Sequence, residues 1–171
     1  MGTIPPSRST HALSRESSWQ ARAANSAPAE WPKHHGHERR SVELIEALCA
    51  RLRVPGAHRE LAILGARYHG IVHRAAELRP ATLLEMLEQT DAFRRPQRFA
   101  DMLLACEADA RGRTGFENTP YPQREWLLLA AQAAATARPD PAAMAGAKGE
   151  EMAQLMRNSR LAALRALKKL S

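Results

Sequence analysis

Residues 80–106, PATLLEMLEQTDAFRRPQRFADMLLAC, decide the fold class of this chain. Pro80 and Pro96 each stand where a helix can begin, because the first turn of a helix does not use the backbone N–H that proline lacks. Apolar residues follow each proline at helical spacing, which predicts that they face inward. These residues are Leu83, Leu84 and Leu87 in the first helix, and Phe99, Met102, Leu103 and Cys106 in the second. The stretch therefore predicts two amphipathic helices joined by a short turn.

The aliphatic composition extends this prediction to the rest of the chain. The 171 residues include 33 Ala and 20 Leu but only 3 Val and 4 Ile, and aromatic residues make up 5%. Alanine and leucine are strong helix formers, whereas strands favour β-branched and aromatic side chains. We therefore predict an all-α fold, a compact bundle of six or seven helices, and exclude a sheet-based fold.

Cap and turn residues divide the chain into these helices. Ser41 is predicted to be the N-cap of the first helix, which ends at the Val-Pro-Gly sequence of residues 54–56. Its apolar residues at helical spacing are Val42, Leu44, Ile45, Leu48, Cys49 and Leu52. The remaining helices are predicted over residues 57–78, from 80, from 96, over 123–137 and over 150–170. The turn-rich segment 112–122 and the Pro-Asp-Pro sequence 139–141 separate the later helices.

Residues 1–30 differ from the rest, because they are rich in Ser, Ala, Pro and Arg and show no apolar period. Such a segment cannot bury enough surface to offset its ordering entropy, so it is predicted to be a disordered arm. No apolar run approaches the ~18 residues needed to span a bilayer. Cys49 and Cys106 lack the spacing of metal ligands and are predicted to be small core residues of a protein in the reducing cytoplasm.

The charge balance indicates a polyanionic partner. The chain has 25 Lys and Arg against 18 Asp and Glu, for a net charge of +7 and a pI of about 10.2. Such an excess favours nucleic-acid binding, although solvated arginine-rich faces explain it equally well.

A histidine cluster is the first candidate site. His34, His35 and His37 precede the first predicted helix, and His69 and His73 follow on the second. Residues four apart share a helix face, and imidazoles are ligands for divalent metals. The alternative is a solvated polar loop with two surface histidines.

The segment from Cys106 to Arg113 is the second candidate. Glu107 and Asp109 point about 200° apart on a helix, so they are not expected to share one metal ion. Arg111 and Arg113 carry guanidinium groups that can fork onto phosphates. The alternative is a helix C-terminus held by local ion pairs and a glycine stop.

Two further groups are basic. Arg94, Arg95 and Arg98 surround the turn at residues 93–96, which is either a phosphate-contacting corner or an ordinary solvated loop. Basic residues also lie just before the predicted terminal helix and along it, where they suit contact with an RNA backbone or a solvent-facing surface. They are Lys148, Arg157, Arg160, Arg165, Lys168 and Lys169.

Four long stretches resemble one known family, the bacterial multifunctional CCA-adding enzymes, which are tRNA nucleotidyltransferases with a fused HD phosphohydrolase domain. The stretches are WPKHHGHERRSVELIEALCARLRVP (31–55), ARYHGIVHRAAELRPATLLEMLEQTDAFRRPQRF (66–99), LACEADARGRTGFENTPYPQ (104–123) and AGAKGEEMAQLMRNSRLAAL (145–164). They follow the order of the C-terminal half of the family. The resemblance implies a partial HD-type helical domain over residues 31–95 and a helical tRNA-binding body and tail over 96–171.

The resemblance also implies the chemistry. The family adds C, C and A to the 3′ end of tRNA from CTP and ATP with Mg²⁺, in an N-terminal head that residues 31–171 do not match. Its HD domain resembles a phosphohydrolase that acts on 2′,3′-cyclic nucleotides and phosphate monoesters with a divalent metal, Mg²⁺ or Ni²⁺. The family's later metal ligands correspond to His34, His37 and His69, whereas its His-Asp dyad has no counterpart in this sequence.

Three functions follow as hypotheses. The first is a C-terminal fragment of a CCA-adding enzyme that binds tRNA through Arg111, Arg113, Lys148, Arg157 and Arg160, without nucleotidyl transfer of its own. The second is a residual metal-dependent phosphohydrolase, and the third is an inactive helical remnant that self-associates. The unrelated residues 1–30 are expected to reflect a truncated or frame-shifted gene or a mis-assigned start.

Overall fold

The computed structural model describes residues 37–168, which form seven α-helices and one 3-10 helix and contain no strand. The predicted all-α fold is therefore confirmed for this part of the chain. The predicted disordered arm, residues 1–30, lies outside the described residues. The α-helices are α1 (His37–Leu52), α2 (Gly56–His73), α3 (Pro80–Gln89), α4 (Pro96–Arg111), α5 (Gln123–Thr136), α6 (Pro141–Met144) and α7 (Glu150–Lys168), and the 3-10 helix is Ala75–Glu77.

The chain forms two compact units, and each takes residues from two parts of the sequence. Within the described residues, the first unit comprises 37–68 and 105–120, and the second comprises 69–104 and 121–168. These units are defined by packing. The division at residues 31–95 and 96–171 follows the family resemblance instead and stays a prediction.

The core of the second unit is built from the residues that the helical pattern predicts. In this unit α7 packs against α3 and α5. The side chains predicted to face inward from α3 and α4 are all buried, which confirms that prediction, and all of them except Cys106 belong to this unit. The buried residues contributed by α5 and α7 are Leu127, Ala130, Ala134 and Leu164. Each fully buried leucine stabilises the fold by roughly 2 kcal/mol, so these helices are held mainly by apolar contact.

Two predicted helix boundaries are wrong. Helix α1 begins at His37 rather than at Ser41, and Glu38 in its first turn lies at the positive end of the helix dipole. The predicted helix over residues 57–78 ends at His73 and is followed by the 3-10 turn. Arg79 is extended, with φ −68° and ψ 147°. A residue before proline avoids the helical region, and Pro80 therefore separates the two helices.

Helix α1 ends in a Schellman motif with an arginine at the left-handed position. Arg53 has φ +51°, its N–H donates to the Ala50 carbonyl at 3.3 Å, and the Val54 N–H donates to the Cys49 carbonyl at 2.9 Å. Glycine is the usual residue at this position because a Cβ is strained there. The motif nevertheless gives a hydrogen-bond donor to two carbonyls that the end of the helix would otherwise leave without one.

The apolar face of α1 is only partly buried. Cys49 is 7% exposed, but Leu44, Leu48 and Leu52 are 57%, 45% and 61% exposed. The predicted helix is thus confirmed for α1. Its three leucines, however, are not buried in a core within the described residues. The self-association expected of an inactive helical remnant stays a prediction.

Both cysteines are buried and free, as the sequence predicts. None of the helices between residues 37 and 168 combines the length and apolar character required to cross a membrane.

Candidate nucleic-acid interface

The C-terminal turn of α4 carries two ion pairs in the first unit. Arg111 Nη1 lies 2.8 Å from Glu107 Oε1, and Arg113 Nη2 lies 3.6 Å from Asp109 Oδ2. Each carboxylate contacts the arginine four residues later, so the two acids point to different partners, as the helical geometry predicts. The Arg111 and Arg113 side chains remain 44% and 46% exposed. Both therefore present positive charge to solvent while they hold the end of the helix.

The loop after α4 is tied to this helix end. Arg111 Nε donates to the Thr119 carbonyl at 3.3 Å, and the Phe116 N–H donates to the Arg113 carbonyl at 2.9 Å. Gly115 takes φ +89°, a conformation that glycine adopts without strain.

Phe116 is a surface residue that the sequence analysis did not single out. It is 53% exposed in the loop that follows Arg113. An exposed aromatic ring in a basic loop is a surface on which an unpaired base can stack. The Arg-Gly-Arg-Thr-Gly-Phe order of residues 111–116 contained this signal, because it places an aromatic residue in a glycine-containing basic turn.

Lys148 lies immediately before α7 in the second unit and is exposed. Its carbonyl accepts from the Glu151 N–H at 3.2 Å, and Gly149 takes φ +54°. The lysine therefore sits at a turn whose backbone is fixed by the start of the helix.

Arg157 and Arg160 on α7 are engaged within the second unit. Arg157 Nη1 forms an ion pair and a hydrogen bond with Glu88 Oε2 on α3, and the side chains are 41% and 33% exposed. The Arg160 guanidinium lies over the Phe93 ring, with its carbon 4.2 Å from the ring centre. Both arginines therefore connect α7 to α3 and to the turn that follows it.

The five predicted RNA-binding residues thus lie in two separate sets. Arg111 and Arg113 belong to the first unit, and Lys148, Arg157 and Arg160 belong to the second. Their assignment to RNA binding stays a prediction.

The predicted metal ligands are only partly described. His34 and the side chain of His37 lie outside the described residues, whereas His69 is half-buried on α2. Its ring centre is 6.0 Å from that of His73. Between residues 37 and 168, no group of three or more His, Cys, Asp or Glu is arranged to hold a metal ion. The described residues do not themselves form the expected metal centre, and the metal stays a prediction.

His73 takes part in a hydrogen-bonded contact with the segment before α5. Its Nδ1 lies 2.8 Å from the Tyr121 hydroxyl, and Gln123 Nε2 donates to the His73 carbonyl at 3.3 Å. The Tyr121 hydroxyl donates when Nδ1 is unprotonated. These contacts join the end of α2 to the start of α5 within the second unit.

Cys106 is unsuited to nucleophilic chemistry. Burial, together with the nearby Asp109 charge, raises the pKa of its thiol from 9.0 to about 12. A thiol with this pKa is almost entirely protonated at neutral pH, and the thiolate is the reactive form.

The chain is similar to curated multifunctional CCA proteins. It is 54% identical over 136 residues to that of Nitrosococcus oceani, an alignment that covers 80% of this chain and 34% of the relative. It is 51% identical over 137 residues to the protein of Thioalkalivibrio sulfidiphilus, with 80% and 34% covered. It is 51% identical over 140 residues to the protein of Pseudomonas aeruginosa, with 82% and 34% covered.

These relatives confirm the resemblance that the four sequence stretches predict. The chain spans about a third of their length, since the alignments cover 34% of each. No family model matches the chain, and no solved structure is significantly similar to it.

Proposed function

Because the chain is homologous to multifunctional CCA proteins over 80% of its length, we propose that it is a helical, tRNA-binding part of a CCA-adding enzyme. The homology carries this proposal, and the charge of the chain supports it. A net charge of +7 attracts the phosphate backbone at long range. With tRNA as its partner, the chain acts in the bacterial cytoplasm.

The exposed basic residues take the phosphate contacts in this proposal. Arg111 and Arg113 are nearly half exposed, and Lys148 is exposed beside α7. A guanidinium offers a planar fork that matches two phosphate oxygens, whereas an ammonium acts as a point charge. Phe116, three residues after Arg113, offers a ring for stacking with an unpaired base.

Arg157 and Arg160 have a different part in this proposal. Since their guanidinium groups already contact Glu88 and Phe93, they hold α7 in place and add to the positive field around it. Their removal is expected to weaken tRNA binding through both effects.

The chain alone is proposed not to add CCA to tRNA. Its similarity covers 34% of the relatives, and the family substrates CTP and ATP have no proposed site in this chain. A residual phosphohydrolase would need a divalent metal held by His34, His37 and His69, whose neutral imidazoles bring no negative charge and no general base. Hydrolysis is therefore expected to be at most a trace activity.

Titration of a fluorescently labelled tRNA transcript with the full chain tests tRNA binding. Affinity should fall as salt rises, and the slope of log K against log salt should lose about one for each phosphate contact removed. Arg111→Gln with Arg113→Gln is the informative double variant. Unchanged tRNA affinity and slope in this variant would remove Arg111 and Arg113 from the proposed interface.

Two activity assays test the proposals on CCA addition and on phosphohydrolase activity. The chain is incubated with labelled CTP, ATP and tRNA that lacks its 3′ CCA, and separately with 2′,3′-cyclic AMP plus Ni²⁺ or Mg²⁺. Nucleotide incorporation above background would contradict the proposal that the chain alone does not add CCA to tRNA. Substantial hydrolysis that His37→Ala abolishes would show that the phosphohydrolase is retained.

A further inference from the structure

Helix α3 ends in a Schellman motif with an aspartate at the left-handed position. Asp91 has φ +56°, its N–H donates to the Glu88 carbonyl at 3.0 Å, and the Ala92 N–H donates to the Leu87 carbonyl at 2.9 Å. Aspartate tolerates this conformation better than most residues. Glycine would fit here without strain, but it would carry no side chain toward the turn that follows.

Two arginines of that turn and one at the start of α4 surround the Asp91 carboxylate. Its oxygens lie 3.8 Å from Arg94 Nε, 3.6 Å from Arg95 Nε and 4.0 Å from Arg98 Nη2. We call Asp91, Arg94, Arg95 and Arg98 the arginine corner. The side chains of Arg94 and Arg95 are 84% and 53% exposed, whereas that of Arg98 is 22% exposed. Two of the three guanidinium groups are thus open to solvent.

The backbone beneath the corner is rigidly supported. Arg98 Nη2 donates to the Thr90 carbonyl at 3.0 Å, and the buried Thr90 hydroxyl donates to the Met86 carbonyl at 2.8 Å. Ala92 and Phe99, which flank the exposed arginines in sequence, are 3% and 1% exposed. The corner is therefore anchored in the core of the second unit on both sides.

Positive charge is in excess among the side chains of the corner itself, where three guanidinium groups share the single carboxylate of Asp91. Glu88, at the end of α3, pairs with Arg157. The Arg94 and Arg95 side chains are more than half exposed, so solvent and salt screen their attraction to Asp91. A phosphate can therefore replace Asp91 as the partner of an exposed guanidinium.

We propose that the arginine corner is a contact site for the RNA phosphate backbone, with Arg94 and Arg95 as the contacting side chains. This inference rests on the proposed function, because it takes tRNA as the polyanion. In the absence of RNA, Asp91 holds the guanidinium groups over the turn. When RNA binds, backbone phosphates displace Asp91 from Arg94 and Arg95, while Arg98 continues to brace the turn through the Thr90 carbonyl.

The test uses Arg94→Gln with Arg95→Gln in the full chain, and labelled tRNA as the probe. We expect an affinity at least about tenfold lower and a salt slope reduced by about two, one for each lost phosphate contact. The matched control is Arg79→Gln with Arg138→Gln, which removes the same charge from exposed positions of the second unit. Arg79 lies at the other end of α3, roughly 15 Å away by helix rise. This control should retain the slope and most of the affinity.

Asp91→Asn provides a second, independent variant. Asparagine keeps the left-handed conformation but removes the competing carboxylate. We expect a severalfold gain in tRNA affinity in the wild-type background and no gain when Arg94 and Arg95 are already glutamine. An equal gain in both backgrounds, or no gain in either, contradicts displacement of Asp91 by phosphate.

The outcomes separate this inference from the proposed function. If the wild-type chain does not bind tRNA, the proposed function fails and the inference fails with it. If the wild-type chain binds but the corner variant behaves like the control, only the inference is overturned. Circular dichroism of each variant verifies that the helices are retained.

Discussion

The Arg160 guanidinium carbon on α7 lies 4.2 Å from the centre of the Phe93 ring, in the turn between α3 and α4. The two residues are 67 positions apart in the chain, so only folding brings them together. Three residues earlier, Arg157 contacts Glu88 on α3. One cation–π contact and one ion pair therefore hold the same helix against the same part of the second unit.

Removing the cation–π contact should lower the free energy of unfolding. Arg160→Ala and Phe93→Ala each lose packing as well as this contact, so a double-mutant cycle is needed to isolate the pair. We expect a coupling energy of about 0.5–1 kcal/mol from urea denaturation. Arg160→Lys is the matched control, because it keeps the charge and loses the planar group. Purely additive effects of the two alanine substitutions would contradict a contribution from the contact.

The ion pair between Arg157 and Glu88 should contribute less than its geometry suggests. Both side chains are about one third or more exposed, at 41% and 33%, so solvent and salt screen the attraction. A cycle of Arg157→Gln and Glu88→Gln should give a coupling of about 0.5–1 kcal/mol at low salt that falls in 1 M NaCl. A coupling that does not change with salt would show that the pair acts through packing rather than charge.

Replacement of Arg53 by glycine should stabilise the chain. The residue ends α1 at φ +51°, where a Cβ is strained. Arg53→Gly is expected to raise the free energy of unfolding by roughly 0.5–1 kcal/mol, after the entropy cost of glycine is included. Arg53→Ala removes the same charge but keeps the Cβ, so it should give no such gain. Equal thermal midpoints for the two variants would rule out relief of strain as the cause.

Cys106 should resist alkylation in the folded chain. At pH 9.0 about half of an ordinary thiol is ionised, whereas a thiol with a pKa of about 12 is ionised at about one part in a thousand. Iodoacetamide labelling, read by peptide mass spectrometry, should therefore be orders of magnitude slower in buffer than in urea. Fast labelling of the folded chain at Cys106 would contradict its burial.

The same thiol should make stability depend on alkaline pH. The pKa is raised on folding from 9.0 to about 12, so the folded state binds the proton more tightly than the unfolded chain. The stabilisation is fully present below pH 9 and is lost as pH rises toward 12. Cys106→Ala should show a smaller loss of urea midpoint over this window than the wild type. An identical loss in both proteins would assign it to other groups.

Phe116→Ala should weaken tRNA binding without affecting stability. The ring is 53% exposed, so its removal costs little burial, whereas the loss of stacking on one base lowers affinity by about tenfold. Phe116→Tyr preserves an aromatic face and should bind like the wild type. If the alanine and tyrosine variants bind tRNA equally, Phe116 does not stack on a base.

Local patterns predicted the parts of the fold that depend on neighbours in sequence. Pro80 and Pro96 do begin helices, and Leu83, Leu87 and Phe99 are fully or almost fully buried. The start of α1 was mispredicted because a serine only favours a cap, and a helix continues through it when the preceding residues also suit the helix. At the candidate interface, the charges were evident from the sequence but their partners were not.

The sequence by itself determined that the described part of the chain is helical, that the leucines at helical spacing on α3 and four residues of α4 face inward, and which family the chain resembles. These properties follow from residue spacing within single helices and from residue identity along continuous segments. Only the tertiary structure decided that Glu88 faces Arg157, that Phe93 lies beneath Arg160, and that Leu48 is exposed despite its helical spacing. A periodic pattern shows that one face of a helix is apolar, but the packing of distant segments determines what, if anything, covers that face.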